Sequence, residues 1–329
     1  MKIRYGILGF GLHAVRRLMP GFANVEHCSL AGLWRRDQQL AAANALQYGA
    51  TSFPTPEDLC ASSEIDAIFV ASPDSLHLEH TLLALGHGKA VLCEKPLAMN
   101  AAEARQMVDA AGRAALLLGV GHNYRFNRSL ELIRDWIAAG RIGTPVLAHA
   151  QFSYPAQNSA RKWITDPALA NGGPIGDVGV HCIDALRLVT GRDVLSVSTL
   201  ARTDSRSGAV EAFAALQMEM TGGLFANVTT SARTPYRTLV EVAGEDGVIV
   251  AENGLSVDAQ IDVVLRRGGD VVDSASRNNF DSYTRMLDGF ALALQGEASF
   301  PATAEDSWKN MLALDAAYRS WHSGQREQL

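Results

Sequence analysis

Basic charge is scarce in this chain of 329 residues, where 29 lysines and arginines stand against 35 aspartates and glutamates for a formal net charge of -6. A nucleic-acid binder ordinarily carries a basic excess or a basic stripe, so no nucleic-acid partner is expected. Long apolar runs are missing as well. No stretch approaches the roughly 18 residues that span a bilayer, so no membrane partner is expected either. Cysteine is sparse: Cys28, Cys60, Cys93 and Cys182 lie far apart and form no Cys-x-x-Cys pair or Cys/His ligand cluster. That spacing excludes a disulfide framework and reads as small buried hydrophobes in a reducing, cytoplasmic compartment. The nine histidines show no convincing ligand spacing, His77 and His80 being the one near pair, so no metal is expected. Lys2 and Arg4 before the apolar stretch Tyr5 to Leu12 resemble the start of a secretory leader. Arg16 and Arg17 interrupt that stretch and no small-x-small cleavage site follows, so the segment reads as folded structure. Repeats and low-complexity tracts are absent.

What is present is a globular composition, 47% hydrophobic and 19% charged, and enough chain for two domains at roughly 100–200 residues each. Up to residue 121, short apolar runs (Ile3–Leu8, Leu30–Trp34, Ile65–Ala71, Ala90–Cys93, Leu116–Val120) alternate with helix-like stretches. Such alternation predicts an α/β fold with a parallel sheet, a Rossmann dinucleotide-binding domain over residues 1–121. From 122 to 329 the texture changes. Strand-like segments such as Val146–Tyr154, Val194–Arg202, Ala212–Met220 and Leu224–Ser231 follow one another through short turns, with few helices. This predicts an α+β domain built on a largely antiparallel open sheet, its last helix packing back on the first domain. Apolar residues fall on both alternating faces of Ala212–Met220 and Leu224–Ser231, so one sheet face is expected to join a partner chain in a homodimer or homotetramer.

The first strand ends in Gly9-Phe10-Gly11-Leu12-His13-Ala14, a G-x-G-x-x-A turn. Glycines there let backbone N–H groups approach a pyrophosphate at a helix N-terminus, and Ala14 permits close helix–strand packing. His13 either points at the phosphates or stands on the helix surface. At the end of the second strand come Trp34, Arg35, Arg36 and Asp37 in place of an acid directly at the strand end. Two guanidiniums suit a 2′-phosphate, which favours NADP. NAD returns if the strand runs two residues further and Asp37 becomes the ribose acid. Ser72-Pro73-Asp74-x-x-His77 and Cys93-Glu94-Lys95-Pro96 end the third and fourth runs, where such sheets place their ligands. Further on, Asn171-Gly172-Gly173-Pro174-Ile175-Gly176-Asp177 leads to His181, with Asp177 and His181 four apart on one helix face as an acid–base pair.

In these motifs, and in His122-Asn123-Tyr124-Arg125-Phe126 and Asp184, the chain resembles the glucose-fructose oxidoreductase, inositol dehydrogenase and MocA family. Ser72 and Asp74 depart from that family's Thr-Pro-Asn-x-x-His. The resemblance implies an NAD(P)-dependent sugar, cyclitol or polyol oxidoreductase. It implies that Lys95 polarises the reacting oxygen, that His181 is the general acid/base, that Asp177 orients His181 and touches substrate, and that a cis peptide precedes Pro96. Gly9, Phe10, Gly11, Leu12, His13, Trp34, Arg35, Arg36, Ser72, Pro73, His77, Glu94 and Lys95 are the expected cofactor contacts, Glu94 bracing the Lys95 loop. Tyr124, Arg125, Tyr154, Arg161, Trp163 and Tyr283, joined by Lys95, Asp177 and His181, are candidate substrate contacts, since aromatic faces stack on sugar CH surfaces. Two alternatives stand beside this: a dinucleotide- or sugar-sensing regulator of the same fold, and a glycosidase that uses nicotinamide for transient oxidation.

Overall fold

The computed structural model describes residues 1–156, 162–205 and 208–329. They form two compact units, Met1–His122 with Tyr283–Trp308, and Asn123–Ser282 with Lys309–Leu329.

In the first unit β1 (Ile3–Leu8), β2 (Cys28–Trp34), β3 (Thr51–Ser52), β4 (Ala67–Val70), β5 (Ala90–Cys93) and β6 (Leu118–Val120) make one sheet in the order β3-β2-β1-β4-β5-β6. Every neighbouring pair is parallel. All residues of β4 and β5 are buried, as expected of strands covered on both faces, and this is why their sequences read as unbroken apolar runs. The strand order reverses between β1 and β4, and the chain segments leaving these strands and β5 carry the motifs singled out above. A π-helical turn, Ala14–Leu18, runs into α1 (Met19–Phe22); α2 (Gln38–Tyr48), α3 (Pro56–Ala61), α4 (His77–Gly86) and α5 (Ala101–Ala114) follow. The pair β3 and α3 was not anticipated from hydrophobic periodicity because both are too short to show one. A capping signal does mark α3: Thr55 accepts from the Asp58 amide at 3.0 Å and Pro56 takes the first helical position.

The second unit opens with α6 (Arg128–Ala138) and carries β7 (Pro145–Ser153), α7 (Val180–Thr190) and strands β8 (Val194–Arg202), β9 (Phe213–Met220), β10 (Leu224–Ser231), β11 (Arg237–Gly244), β12 (Val248–Glu252), β13 (Gln260–Arg267), β14 (Asp270–Asn278) and β15 (Glu327–Gln328). These strands lie in the order β14-β13-β12-β11-β7-β10-β9-β8-β15, antiparallel throughout except where β7 and β10 run parallel. Along β9 and β10 burial alternates: Ala214, Leu216, Met218, Leu224, Ala226 and Val228 point into the core. The other face is mixed rather than apolar throughout. It shows Leu147, Leu200, Phe213 and Phe225, more than 40% exposed, beside Gln217 and Asn227, which pair in register.

The helices α8 (Ser282–Leu294) and α9 (Ala304–Ser323) lie between β14 and β15. The segment Tyr283–Trp308 belongs to the first unit for a packing reason: Phe290 sits between Tyr5 and Phe300, and the Tyr5 hydroxyl donates to the Leu287 carbonyl at 3.1 Å. Residue 119 must be glycine here, because a Cβ would lie 2.6 Å from the Phe300 ring. Among the described residues no helix is long and apolar enough to cross a membrane.

Candidate active site

The glycine turn of the first unit is built by contact, not by flexibility alone. Gly9 has φ +85°, and a Cβ on it would lie 2.5 Å from the backbone nitrogen of Ser72. Gly11 faces open space, its would-be Cβ meeting nothing nearer than 3.7 Å, and Ala14 is fully buried against the sheet. This is the cradle a dinucleotide pyrophosphate needs, with backbone at the surface and a helix start behind it. The Phe10 ring is buried and packs 5.7 Å from Tyr48, so only its backbone faces the turn, whereas Leu12 is exposed.

At the end of β2, Trp34 donates to the Pro54 carbonyl and meets His80 edge-on. Arg35 is half-buried with its guanidinium 2.9 Å from the Asn44 side-chain oxygen, and Arg36 is exposed. The strand does not run on to Asp37. That residue caps α2, its carboxylate accepting from the Leu40 amide at 3.0 Å, and the cap binds the carboxylate to its own helix.

His13, in the first helical turn after the glycines, places Nε2 2.8 Å from Glu94 Oε1. The other Glu94 oxygen accepts from the Lys95 amide at 3.1 Å. Burial opposes charge on Glu94, but His13 and Lys95 together outweigh it and hold the carboxyl below its usual range. Lys95 itself is half-buried and the Lys95–Pro96 peptide is cis. The Ser72 hydroxyl lies 3.0 Å from His80 Nδ1, and burial lowers the His80 pKa. His77 is buried with both ring nitrogens on backbone oxygens, those of Pro96 and Ser72. Tyr283 lies in this first unit, its ring 6.2 Å from that of His13.

In the second unit Asp177 lies in a π-helical turn, Ile175–Gly179, that leads into α7, and its carboxylate accepts from the Tyr154 hydroxyl at 2.6 Å. Such turns inside helices recur at functional sites. His181, on the first turn of α7, is 6% exposed; Tyr124 meets its ring edge-on at 4.3 Å and Phe152 stacks at 6.2 Å. Arg125 is buried and bonds Asp184 through Nε and Nη2, so its guanidinium anchors α7 to the turn Asn123–Phe126 that precedes α6. Asn310 completes that link by donating to the same Asp184 oxygen at 2.8 Å. Trp163 is half-buried, and Arg161 lies outside the described residues.

Sequence reasoning missed Glu211 and Tyr318. The buried Glu211 carboxylate accepts from the amides of Gly173 at 2.9 Å and Ile175 at 2.7 Å, and from the Tyr318 hydroxyl at 3.2 Å. Burial pushes its pKa up, and the donated amides hold it back. The Gly173 carbonyl in turn accepts from the Asp177 amide at 2.9 Å, so this clamp sets the start of the turn that carries Asp177. Gly172 has φ +92° and a Cβ there would lie 1.9 Å from the Tyr318 hydroxyl, while one on Gly173 would lie 2.1 Å from the Glu211 carbonyl. The adjacent glycines were the available signal that something closes on that turn.

Known proteins resemble the chain along its length. The family described as "Oxidoreductase family, NAD-binding Rossmann fold" matches residues 3–122, and the "GFO/IDH/MocA C-terminal domain" matches residues 130–250. A D-xylose 1-dehydrogenase (NADP(+)) of Haloferax volcanii is 30% identical over 99% of both chains. A 1,5-anhydro-D-fructose reductase of Ensifer adhaerens is 28% identical over 99% of this chain and 98% of its own. The crystal structure of an aldose-aldose oxidoreductase from Caulobacter crescentus complexed with glycerol, 26% identical, superposes with a TM-score of 0.90 over 100% of both chains.

Proposed function

This chain belongs to the GFO/IDH/MocA family of oxidoreductases, and from that premise we propose that it is an NADP-dependent dehydrogenase or reductase of a sugar, cyclitol or related polyol. The observation that carries the reading is the placement, four residues apart on one helical segment, of a tyrosine-held carboxylate, Asp177, and an imidazole, His181, set among aromatic rings. Hydroxyl-rich substrates call for that combination, a fixed acceptor and a proton carrier beside apolar walls. The sugar dehydrogenase and sugar reductase among the relatives support the substrate class.

The residues that would hold the dinucleotide are the turn Gly9 to His13, then Trp34, Arg35 and Arg36, the Ser72–Pro73 segment and the Glu94–Lys95 loop. The cofactor would be NADP: β2 ends at Trp34, short of Asp37, and Arg35 and Arg36 provide the guanidiniums for a 2′-phosphate. Bound nicotinamide supplies a hydride acceptor or donor. Lys95 donates to the reacting oxygen and stabilises alkoxide character as the C–H bond breaks or forms. His181 accepts the hydroxyl proton in oxidation and returns it in reduction, since imidazole is the side chain suited to both steps. Asp177, fixed by the Tyr154 hydroxyl, accepts from a substrate hydroxyl and orients His181. Tyr124, Tyr154, Trp163 and Tyr283 provide stacking surfaces, and Arg125 acts through Asp184 by fixing α7.

Lys95, Asp177 and His181 together favour turnover over sensing. The exposed face with Leu147, Leu200, Phe213 and Phe225 supports pairing with a second copy, as a dimer or tetramer. Four buried, unpaired cysteines support a reducing, cytoplasmic setting. The test is a screen of NADP+ reduction and NADPH oxidation against aldoses, cyclitols and keto-sugars. Turnover with at least one is expected; absence of turnover with all of them, using either NADP or NAD, would refute the assignment.

A further inference from the structure

His77, the first residue of α4, is 1% exposed, and each of its ring nitrogens rests on a backbone carbonyl. Nδ1 lies 2.8 Å from the Pro96 carbonyl oxygen and Nε2 lies 3.0 Å from the Ser72 carbonyl oxygen. A backbone carbonyl only accepts, so each nitrogen has to bring its own proton. A neutral imidazole carries one N–H, and whichever tautomer it took would set the lone pair of the other nitrogen against an oxygen lone pair in a buried site. Only the imidazolium satisfies both contacts.

We infer that His77 is an imidazolium throughout the neutral pH range, and that it acts as a positioning residue, tying the segment after β4 to the segment after β5 so that Lys95 is held where the proposed reaction needs it. Lys95 is then bracketed by two histidine-anchored neighbours. On one side Glu94, held by His13, accepts from the Lys95 amide; on the other Pro96 gives its carbonyl to His77. The surroundings agree in direction. Burial alone favours the neutral ring, but the Cys93 side chain from β5, the Asp74 carboxylate from the turn before α4 and the Pro96 carbonyl act against it and shift the His77 pKa up. His80, one turn further along α4, is shifted the other way, down, by its own burial. The 3.0 Å contact between His80 Nδ1 and the Ser72 hydroxyl needs no charge, since a hydroxyl can donate.

The role in catalysis rests on the function proposed above; the charge state does not. In the full-length protein labelled with 15N, long-range spectra of the histidine rings should show both His77 nitrogens protonated from about pH 6 to about pH 8.5, a range in which an ordinary histidine loses its proton. One bare nitrogen at neutral pH would overturn the assignment, and assignment through bonds from the backbone needs no variant. His77→Gln retains one donor and removes the charge. It should move the Lys95 amide resonance and lower kcat about 10- to 100-fold while the dissociation constant for NADP changes less than about threefold, as expected for a displaced catalytic group. A folded His77→Gln with an unmoved Lys95 resonance would overturn the positioning role, as would an unchanged kcat. Wild-type protein inert toward every sugar would defeat the proposed function instead, and the ring spectrum and the Lys95 resonance would still decide this inference.

Discussion

Replacing Arg35 by aspartate together with Arg36 by serine should invert the cofactor preference, and the structure sets the size of the effect. Arg35 is half-buried and its Nη1 already rests 2.9 Å from Asn44, so its contact with a phosphate would be preorganised and worth about 1.5–3 kcal/mol as a charged hydrogen bond. Arg36 is exposed, and a solvated ion pair contributes about 0.2–1 kcal/mol. The sum, about 2–4 kcal/mol, corresponds to a rise of about 30- to 700-fold in the NADP dissociation constant. NAD carries no 2′-phosphate and should bind as well as before or better, since the carboxylate introduced in place of Arg35 would offer a ribose acceptor at the end of β2. Calorimetric titration of both dinucleotides into both proteins measures the ratio directly. A ratio of NADP to NAD affinity that moves by less than about threefold would refute the placement of the phosphate at these arginines.

Lys95→Ala and His181→Ala should each lower turnover by about 100- to 10,000-fold with little loss of cofactor affinity, and the double variant should resemble the worse single one because both act on one proton transfer. Asp177→Asn should lower activity and move the His181 limb of the pH profile down, since an anionic neighbour stabilises imidazolium; an unaltered profile would separate the two residues. Gly172→Ala should destabilise the protein by about 2–5 kcal/mol in denaturant unfolding, combining a left-handed backbone with overlap on Tyr318, and an unchanged midpoint would contradict the clamp. The folded-state pKa of His77 lies above its unfolded value of about 6.5, so its contribution is fully present below that pH and is lost as pH rises toward about 10. Over that window wild type should lose stability relative to His77→Gln by up to about 1.4 kcal/mol per pH unit, and parallel pH curves for the two would contradict it. Light scattering at micromolar concentration should report a dimer or tetramer; a monomer would refute a role for the exposed sheet face in pairing.

Much of the fold follows from patterns that a chain displays locally. The all-buried strands β4 and β5 read as strands because both their faces are covered, and β9 and β10 show their one-sided burial as an alternation of period two. The glycine turn is legible because Gly9 and Gly11 answer a local steric need. Contacts between distant segments are not legible in this way. Glu211 meets Gly173 and Ile175 across 38 and 36 residues, and nothing near it in sequence marks it as the clamp on the Asp177 turn. Arg125 looks like a substrate residue beside Tyr124 until Asp184, 59 residues away, is seen to take its guanidinium. Around the π-helical turn at Ile175–Gly179 the contacts also come from outside it, since a Cβ on Gly176 would lie 2.1 Å from the Asn171 carbonyl oxygen.

Transfer of deuterium from NADPH labelled at the nicotinamide C4 to a keto-sugar, read by mass spectrometry of the product, tests the central claim most directly. Direct hydride transfer predicts one deuterium on the carbon of the new alcohol, none exchanged with solvent, and formation of the labelled product slowed about 100- to 10,000-fold in Lys95→Ala and His181→Ala at equal cofactor occupancy. An alcohol that takes its hydrogen from solvent, or labelling that persists at the wild-type rate in both variants, would contradict the account.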